Sequence, residues 1–427
     1  MTPYVIIMVG LPGRGKSYVS RRLERWLNWK GLKTKIFNLG DYRRNIYPES
    51  TRSDWFDPQK GEELNIRDQL ACKACIDLLS WIENDGGIVG IIDATNCTPE
   101  RRKLVFNGLT RPNSLIKPNG LTRPTMTSVR QDRILFVEMV CEIEEIVVNN
   151  VLEAKLTNGD YLGSTPEHVL EDFFQRIDHY RKRYIMMSDK DEPNYKFIQI
   201  HNLGEKLVAI KLNGQLDKKL AYFLMNLHPR NIEVFITRHG ESIAQKNGVI
   251  GTDSDLTEKG KHYGDALKCW IDQATNDYPR VRVMSSYLNR AVKTATPFQN
   301  TERYEVSQWN CLNEINGGSF EGLSYSEVET KWPEIYQQRQ SDKYQHSWPG
   351  GETYRQMIIR LESVFLEIES SPVPLVIIAH QAVCRGLYAY LMHQLPEECT
   401  KIDIPSHTVF RFWTSDGHHP QVDVRHL

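Results

Sequence analysis

The run Gly10-Leu-Pro-Gly-Arg-Gly-Lys-Ser17 constrains this chain more than any other stretch. It follows the unbroken apolar run Tyr4 to Val9 and precedes a helical pattern over residues 18 to 30. Such an apolar run suits a central parallel strand covered on both faces. A strand that opens through glycines into a helix aims backbone N–H groups at one point on the helix N-terminus, where a phosphate binds. Gly10, Gly13 and Gly15 allow that curl, Lys16 can reach the β and γ phosphates of a nucleotide, and Ser17 can ligate Mg²⁺.

The rest of the first half repeats the strand-then-polar design. Ile36 to Leu39 reads as a strand leading to Asp41-Tyr-Arg-Arg44, and residues 88 to 92 as another ending in Asp93-Ala-Thr-Asn96. Strands alternating with helical patterns predict a doubly wound parallel sheet with its site at the strand carboxyl ends. Asp93 then faces the phosphate loop, where a carboxylate can hold Mg²⁺ or orient an attacking hydroxyl. A compatible, lesser reading is that it caps the helix that Glu100-Arg-Arg-Lys103 begins. Residues 107 to 128, in which Asn-Gly-Leu-Thr-Arg-Pro occurs at 107 to 112 and again at 119 to 124, read as a surface loop insertion. Ile134 to Val140 resumes as a strand. A helix over about 166 to 184 carries Arg176 and Tyr180 on one face, which by itself describes solvated surface. Phe197 to His201 and Val208 to Leu212 look like closing strands, and the turn at His228-Pro-Arg-Asn231 divides the chain into domains 1–228 and 229–427.

The second half opens on Val234-Phe-Ile-Thr237, a strand that stops at Arg238-His239-Gly240-Glu241. Val281 to Ser285 is a strand followed by a helix that aims Arg290 at the same edge, and Pro374 to Ala379 is a strand that stops at His380. A neutral imidazole is a competent nucleophile toward phosphorus. Arg238, Arg290 and the second histidine can neutralise the oxygens of a phosphoryl group in transfer, while Glu314 is a candidate general acid for the leaving alcohol. The pieces predict a phosphohistidine intermediate, with no metal required.

Composition sets the limits. The 427 residues carry a net charge of −1 and 25% charged side chains, so there is no bulk attraction to nucleic acid or to a membrane surface. No apolar run is long enough to cross a bilayer. An anionic ligand must then be held by locally gathered basic residues. Among eight cysteines the one tight pair, Cys72-Lys-Ala-Cys75, sits in helical context and reads as core packing, and reduced thiols imply a cytoplasmic chain.

Taken together, the motifs resemble those of the bifunctional 6-phosphofructo-2-kinase/fructose-2,6-bisphosphatase family. The likeness rests on residues 10 to 17, Phe37-Asn-Leu-Gly-Asp-Tyr-Arg-Arg44 and Asp93-Ala-Thr-Asn96 in the first half. In the second half it rests on Arg238-His-Gly-Glu-Ser242, Leu312-Asn-Glu-Ile315, Asp342-Lys-Tyr344 and His380-Gln-Ala-Val383. The resemblance implies two doubly wound α/β domains: an N-terminal P-loop kinase and a C-terminal histidine-phosphatase, phosphoglycerate-mutase-like domain. It implies fructose 6-phosphate bound by Arg44, Arg67, Thr95, Arg101, Lys155, Arg176 and Tyr180, with ATP on residues 10 to 17, Arg14 among them, and on Asn150 to Lys155. Asp93 and Cys141 fall on kinase active-site positions. His239 matches the phosphorylated histidine and Glu314 the proton donor. Arg238, Gly251, Tyr325, Arg339, Lys343, Tyr354, Gln381 and Arg385 match positions that hold fructose 2,6-bisphosphate. A homodimer is also implied.

The chain departs from the family pattern at Gln245, where the family usually has Asn next to the transferring phosphate, and at Val249 and Thr252, where Arg and Gly are common. These departures motivate a competing expectation, an active kinase joined to a weak or inactive phosphatase domain that acts as a binding module. The chain begins almost at its first strand and runs only briefly past residue 413, so control by phosphorylation of flanking segments is not expected.

Overall fold

The structure is a computed structural model and describes residues 2–47, 53–57, 59, 61–112, 127–155, 165–228, 233–299, 301–414 and 420–427. The chain forms two compact units, Met1–Pro229 and Arg230–Ser415 with His419–Leu427.

In the first unit the strands are β1 (Tyr4–Val9), β2 (Thr34–Asn38), β3 (Val89–Asp93), β4 (Ile134–Val140), β5 (Phe197–His201) and β6 (Lys206–Ile210), in the order β2-β3-β1-β4-β5-β6. All pairings are parallel except β5 with the edge strand β6. Every residue of β1, β3 and β4 is buried, as helices on both faces require of near-continuous apolar strands. Each Val or Ile so buried contributes about 1.5–3 kcal/mol relative to exposure. The order places the carboxyl ends of β1 and β3 side by side, with Val9 leading into the glycine loop and Asp93 ending its strand. Gly10 donates its backbone N–H to the Thr95 carbonyl at 2.9 Å, which ties the two strand ends together. The loop's helix is Lys16–Trp29, and a buried cluster that includes Ala74, Cys75, Leu78 and Leu79 of the helix Gly61–Asp85 packs against the sheet.

Three readings of the first half change. The helix Pro99–Thr110 contains Asn107 to Thr110, so the stretch read as a loop from 107 begins inside a helix, and its second copy lies outside the described residues. Alanine-like helix formers Lys103 and Leu104 and an N-terminal Pro99 carry the helix across Gly108, whose propensity cost is only about 1 kcal/mol. That helix is capped by Thr98, whose hydroxyl accepts the Arg101 N–H at 3.2 Å, and not by Asp93. The last strand runs over Lys206–Ile210, two residues earlier than its apolar pattern suggests, because pairing with β5 sets its register.

The second unit holds β7 (Val234–Arg238), β8 (Val281–Ser285), β9 (Tyr304–Gln308), β10 (Leu375–Ala379), β11 (Thr408–Thr414) and β12 (Pro420–His426), ordered β12-β11-β7-β10-β8-β9. Strands β7, β10, β8 and β9 are parallel, and β11 and β12 complete one side antiparallel. The register of β7 against β10 pairs Arg238 with Ala379, so the next residues, His239 and His380, emerge together. No helix among the described residues is long and apolar enough to cross a membrane.

Candidate active sites

The first site is a cleft of about 450 Å³ at the carboxyl ends of β1 and β3. Gly10 has φ 130° and a Cβ there would lie 2.4 Å from the Met139 carbonyl oxygen, so only glycine fits between the loop and β4. Gly13 and Gly15 take left-handed φ of 75° and 78°. Lys16 is buried, and its Nζ donates to the Leu11 carbonyl at 2.6 Å across the loop. Burial pushes its pKa down to about 8, with the Asp93 carboxylate opposing that shift. Asp93 accepts a hydrogen bond from Asn38 Nδ2 at 2.6 Å, which fixes the carboxylate beside Lys16 and Ser17 in the cleft.

Arg67, Thr95, Arg101 and Tyr180 line the same cleft. Arg101 pairs with Asp68 at 2.6 Å and donates to the Arg67 carbonyl at 2.8 Å. Burial alone would raise the Tyr180 pKa, but Arg67 and Arg176 outweigh it and hold the hydroxyl below the usual phenol range. Arg176 stacks over Phe56 with its guanidinium carbon 3.8 Å from the ring centroid. The pair at 176 and 180 therefore belongs to a wall and not to solvated surface. The Nε–H groups of Arg67 and Arg176 are buried with no partner among the described residues, a cost of about 1–3 kcal/mol each that an oxyanion would remove.

Other candidates are placed elsewhere. Arg44 pairs with Asp41 at 2.6 Å and is absent from the cleft lining, where its neighbour Arg43 is found instead, buried. Arg14, Cys141 and Asn150 back the phosphate loop: Arg14 Nε donates to the Cys141 carbonyl at 3.2 Å, and Asn150 Nδ2 to the Gly13 carbonyl at 3.1 Å. Burial raises the Cys141 thiol pKa. The Lys155 side chain lies outside the described residues.

The second site surrounds the two histidines, whose ring centroids are 5.0 Å apart. His239 Nδ1–H donates to its neighbour's carbonyl, Gly240 O, at 2.7 Å, and Nε2 accepts from Arg290 Nε at 3.0 Å. This pattern fixes the neutral tautomer with its lone pair on Nε2. Burial, reinforced by Arg290, lowers the His239 pKa to about 3. His380 is fully buried and held well below its ordinary pKa by burial and by His239, with Nε2 bonded to the Ser286 hydroxyl at 2.7 Å. Arg238 Nη1 donates to the Ile404 carbonyl at 3.0 Å, and the Glu314 carboxylate is the first charge felt by both Arg238 and Arg290.

Beyond this centre lies a cationic group. Arg385 Nη1 donates to the Tyr354 hydroxyl at 3.0 Å, and Arg339 stacks on Trp348 at 4.4 Å with its Nε–H buried and without a partner among the described residues. Lys343 is pushed down by burial and then by Arg339 and Arg385. Three cations that repel one another suit a second phosphate. Tyr325, half-exposed, also senses Arg339, and Gln381 starts the helix Gln381–Leu391 directly after His380. Gly251 has φ 66° and a Cβ would lie 2.6 Å from Glu321 Cγ. Gln245 Nε2 donates to the Ser406 hydroxyl at 2.7 Å while its Oε1 is buried and without a partner among the described residues.

Sequence reasoning missed Asn38, Arg43, Ser286 and Ser406. Asn38 and Arg43 stand inside the quoted run Phe37 to Arg44, where nothing local tells which side chains enter the cleft, and Ser286 and Ser406 carry no motif; each becomes visible only through the neighbours that the fold brings to it.

Comparisons with known proteins agree with this layout. The family model described as 6-phosphofructo-2-kinase matches residues 1–231, and that of the histidine phosphatase superfamily (branch 1) matches residues 234–425. A 6-phosphofructo-2-kinase/fructose-2,6-bisphosphatase of Aquarana catesbeiana is 35% identical over 410 residues, covering 96% of this chain and 82% of that protein. The Homo sapiens protein 6-phosphofructo-2-kinase/fructose-2,6-bisphosphatase 3 is 34% identical over 411 residues, covering 96% and 74%. Among solved structures, an alpha-ribazole phosphatase of Shigella flexneri is 20% identical with a TM-score of 0.40, covering 46% of this chain and 96% of its own. With both domain matches in order and relatives aligned along nearly its whole length, the chain belongs to the 6-phosphofructo-2-kinase/fructose-2,6-bisphosphatase family.

Proposed function

We propose that the chain makes fructose 2,6-bisphosphate from ATP and fructose 6-phosphate in its first domain and hydrolyses it at the 2-position in its second. The observation that carries this reading is the presence, in one chain, of two separate phosphate-handling sites with different chemistry, each at the carboxyl ends of its own sheet.

In the kinase, residues 10 to 17 with Arg14 and Asn150 hold ATP, and Arg67, Thr95, Arg101, Arg176 and Tyr180 take fructose 6-phosphate. Arg44 and Lys155 are further contacts implied by the family. The sugar's 2-hydroxyl attacks the γ-phosphorus and the bond to the β-phosphate oxygen breaks, releasing ADP. Asp93 orients that hydroxyl and receives its proton, and Lys16 stays with the phosphates. The Ser17 hydroxyl and the Asp93 carboxylate are hard oxygen donors that would hold Mg²⁺, which would supply positive charge to offset that of the phosphates.

In the phosphatase, His239 Nε2 attacks the 2-phosphorus while Arg238, Arg290 and His380 meet its oxygens. The P–O bond to the sugar breaks and Glu314 delivers a proton to the departing oxygen. Water then attacks the phosphohistidine, gives its proton to Glu314, and releases orthophosphate. Arg339, Lys343, Arg385, Tyr325, Tyr354 and Gln381 hold the 6-phosphate sugar. The protein works as a cytoplasmic homodimer in this reading, which sedimentation and fractionation would check.

Incubation with 2-labelled fructose 2,6-bisphosphate should give acid-labile phosphate on His239 and free orthophosphate; neither appearing would end the phosphatase assignment. A second reading, a phosphatase that turns over slowly, is favoured by the Gln245 amide being engaged with Ser406. A burst of labelled phosphohistidine followed by slow release would support it over full turnover.

A further inference from the structure

Glu314 sits on backbone that has no regular structure of its own. The turn Asn310–Leu312 precedes it, and the chain to Gly317 is neither helix nor strand. A general acid must nevertheless lie within hydrogen-bond reach of the departing oxygen; the Ile315 N–H holds the Glu314 carboxylate locally at 2.9 Å, but the backbone of the segment has to be placed from outside it.

Arg360, the last residue of the helix Tyr354–Arg360, does this by its contacts. Its Nη1 donates to the Cys311 carbonyl, and its Nη2 to the Asn313 carbonyl at 2.7 Å and, longer, the Glu314 carbonyl at 3.4 Å. The guanidinium is held in turn by Glu352, which accepts from Nε at 2.7 Å and from Nη2 at 3.0 Å. Glu352 is tied to the same segment through its own backbone N–H, bonded to the Asn316 carbonyl at 3.0 Å. The pair is mostly buried, with side chains 26% and 17% exposed. A planar guanidinium can serve several carbonyls and a bidentate carboxylate at once, which an ammonium cannot. Because Glu352 neutralises Arg360, the arginine braces the loop's backbone without competing for the Glu314 carboxylate.

We propose that Arg360, oriented by Glu352, is a positioning residue for the proton donor Glu314, so that it governs protonation of the leaving group and not attack at phosphorus. The inference rests on the role given to Glu314 above. It predicts dependence on the leaving group. Fructose 2,6-bisphosphate must expel an alkoxide and needs the proton, whereas p-nitrophenyl phosphate expels a phenolate that is stable near neutral pH and does not.

The experiment measures the ratio of the two kcat/KM values, which report only the steps up to phosphohistidine formation and not the later attack of water that Glu314 also assists, in the full chain for Arg360→Lys, Glu352→Gln and Glu314→Gln, with thermal melting as a check on folding. General acid catalysis contributes about 10²–10⁴-fold, so Arg360→Lys is expected to lower the ratio by about tenfold or more, and Glu352→Gln by less in the same direction. Equal loss on both substrates in a folded Arg360→Lys would make the residue merely structural and overturn the inference. An unchanged ratio in Arg360→Lys beside a lowered one in Glu314→Gln would overturn it while leaving Glu314 as the donor. An unchanged ratio in Glu314→Gln would remove the donor assignment itself. Should Arg360→Lys fail to fold, Glu352→Gln decides: an unchanged ratio there overturns the proposal.

Discussion

Arg290 donates its Nε–H to His239 Nε2 at 3.0 Å, so the lone pair that must attack phosphorus is engaged by the residue placed to receive the phosphate's oxygens. The same arginine is anchored through Nη1 to the Thr252 carbonyl at 2.7 Å. Attack therefore exchanges one Arg290 contact for another, from the imidazole to the oxyanion, without moving the anchor. Replacing Arg290 by Met removes both the donor and a source of repulsion. Phosphatase kcat should fall by about 10²–10³-fold with the kinase rate unaltered, and the His239 pKa, read by NMR of the ring nitrogens, should rise from about 3.

Stability should report the same histidine. Its folded pKa of about 3 lies below the model-peptide value of 6.5, so the fold holds the neutral form. This contribution is complete above pH 6.5 and is lost as pH falls toward 3, at a limiting slope of about 1.4 kcal/mol per pH unit. Urea unfolding followed across that window should show a shallower acid loss for His239→Asn than for the parent. Parallel curves would contradict the depressed pKa.

Lys16 offers a signed test in the other domain. With its pKa lowered to about 8 by burial, a substantial fraction is neutral at pH 8, and nucleotide phosphates would restore the charge. ATP binding at pH 8 should therefore take up a fraction of a proton, measured by calorimetry in buffers of different ionisation enthalpy. The uptake should vanish in Lys16→Met.

Lys16→Ala should abolish the kinase and spare the phosphatase, and His239→Ala should do the reverse. Steady-state assays of both reactions on one preparation check this. Loss of both activities from either change in a folded protein would sink the two-site account.

Thr252 is a β-branched residue at φ 56°, a left-handed conformation, and follows Gly251 at φ 66°. Such strain costs about 1–3 kcal/mol, while glycine there would give back up to about 1 kcal/mol in chain entropy. Thr252→Gly should raise stability by about 1 kcal/mol in urea unfolding and keep the carbonyl contact to Arg290. A loss of stability would show that the threonine is not strained.

Much of both sites was legible because local chemistry dictated it. Only glycine admits the backbone at Gly10 beside Met139, and a phosphate loop must follow a strand and open a helix, so residues 4 to 17 announced the first site. Apolar runs ending at His239 and His380 likewise announced two strands and two imidazoles. Strands β9 and β12 left no comparable signal, since they form the two edges of the sheet and carry mixed polar side chains such as Glu305, Ser307, Asp423 and Arg425.

What the sequence determined by itself was the order of the elements and the types of group available: a phosphate loop, a histidine nucleophile, arginines and a carboxylate. The tertiary structure alone decided which of these meet. The register of β7 on β10 set His239 against His380, packing turned Arg43 and not Arg44 into the kinase cleft, and Arg360, nearly fifty residues along the chain, came to brace the loop of Glu314. Periodicity tells a side chain which face of its own element it occupies, but partners across a fold are chosen by strand register and helix packing, which no local pattern encodes.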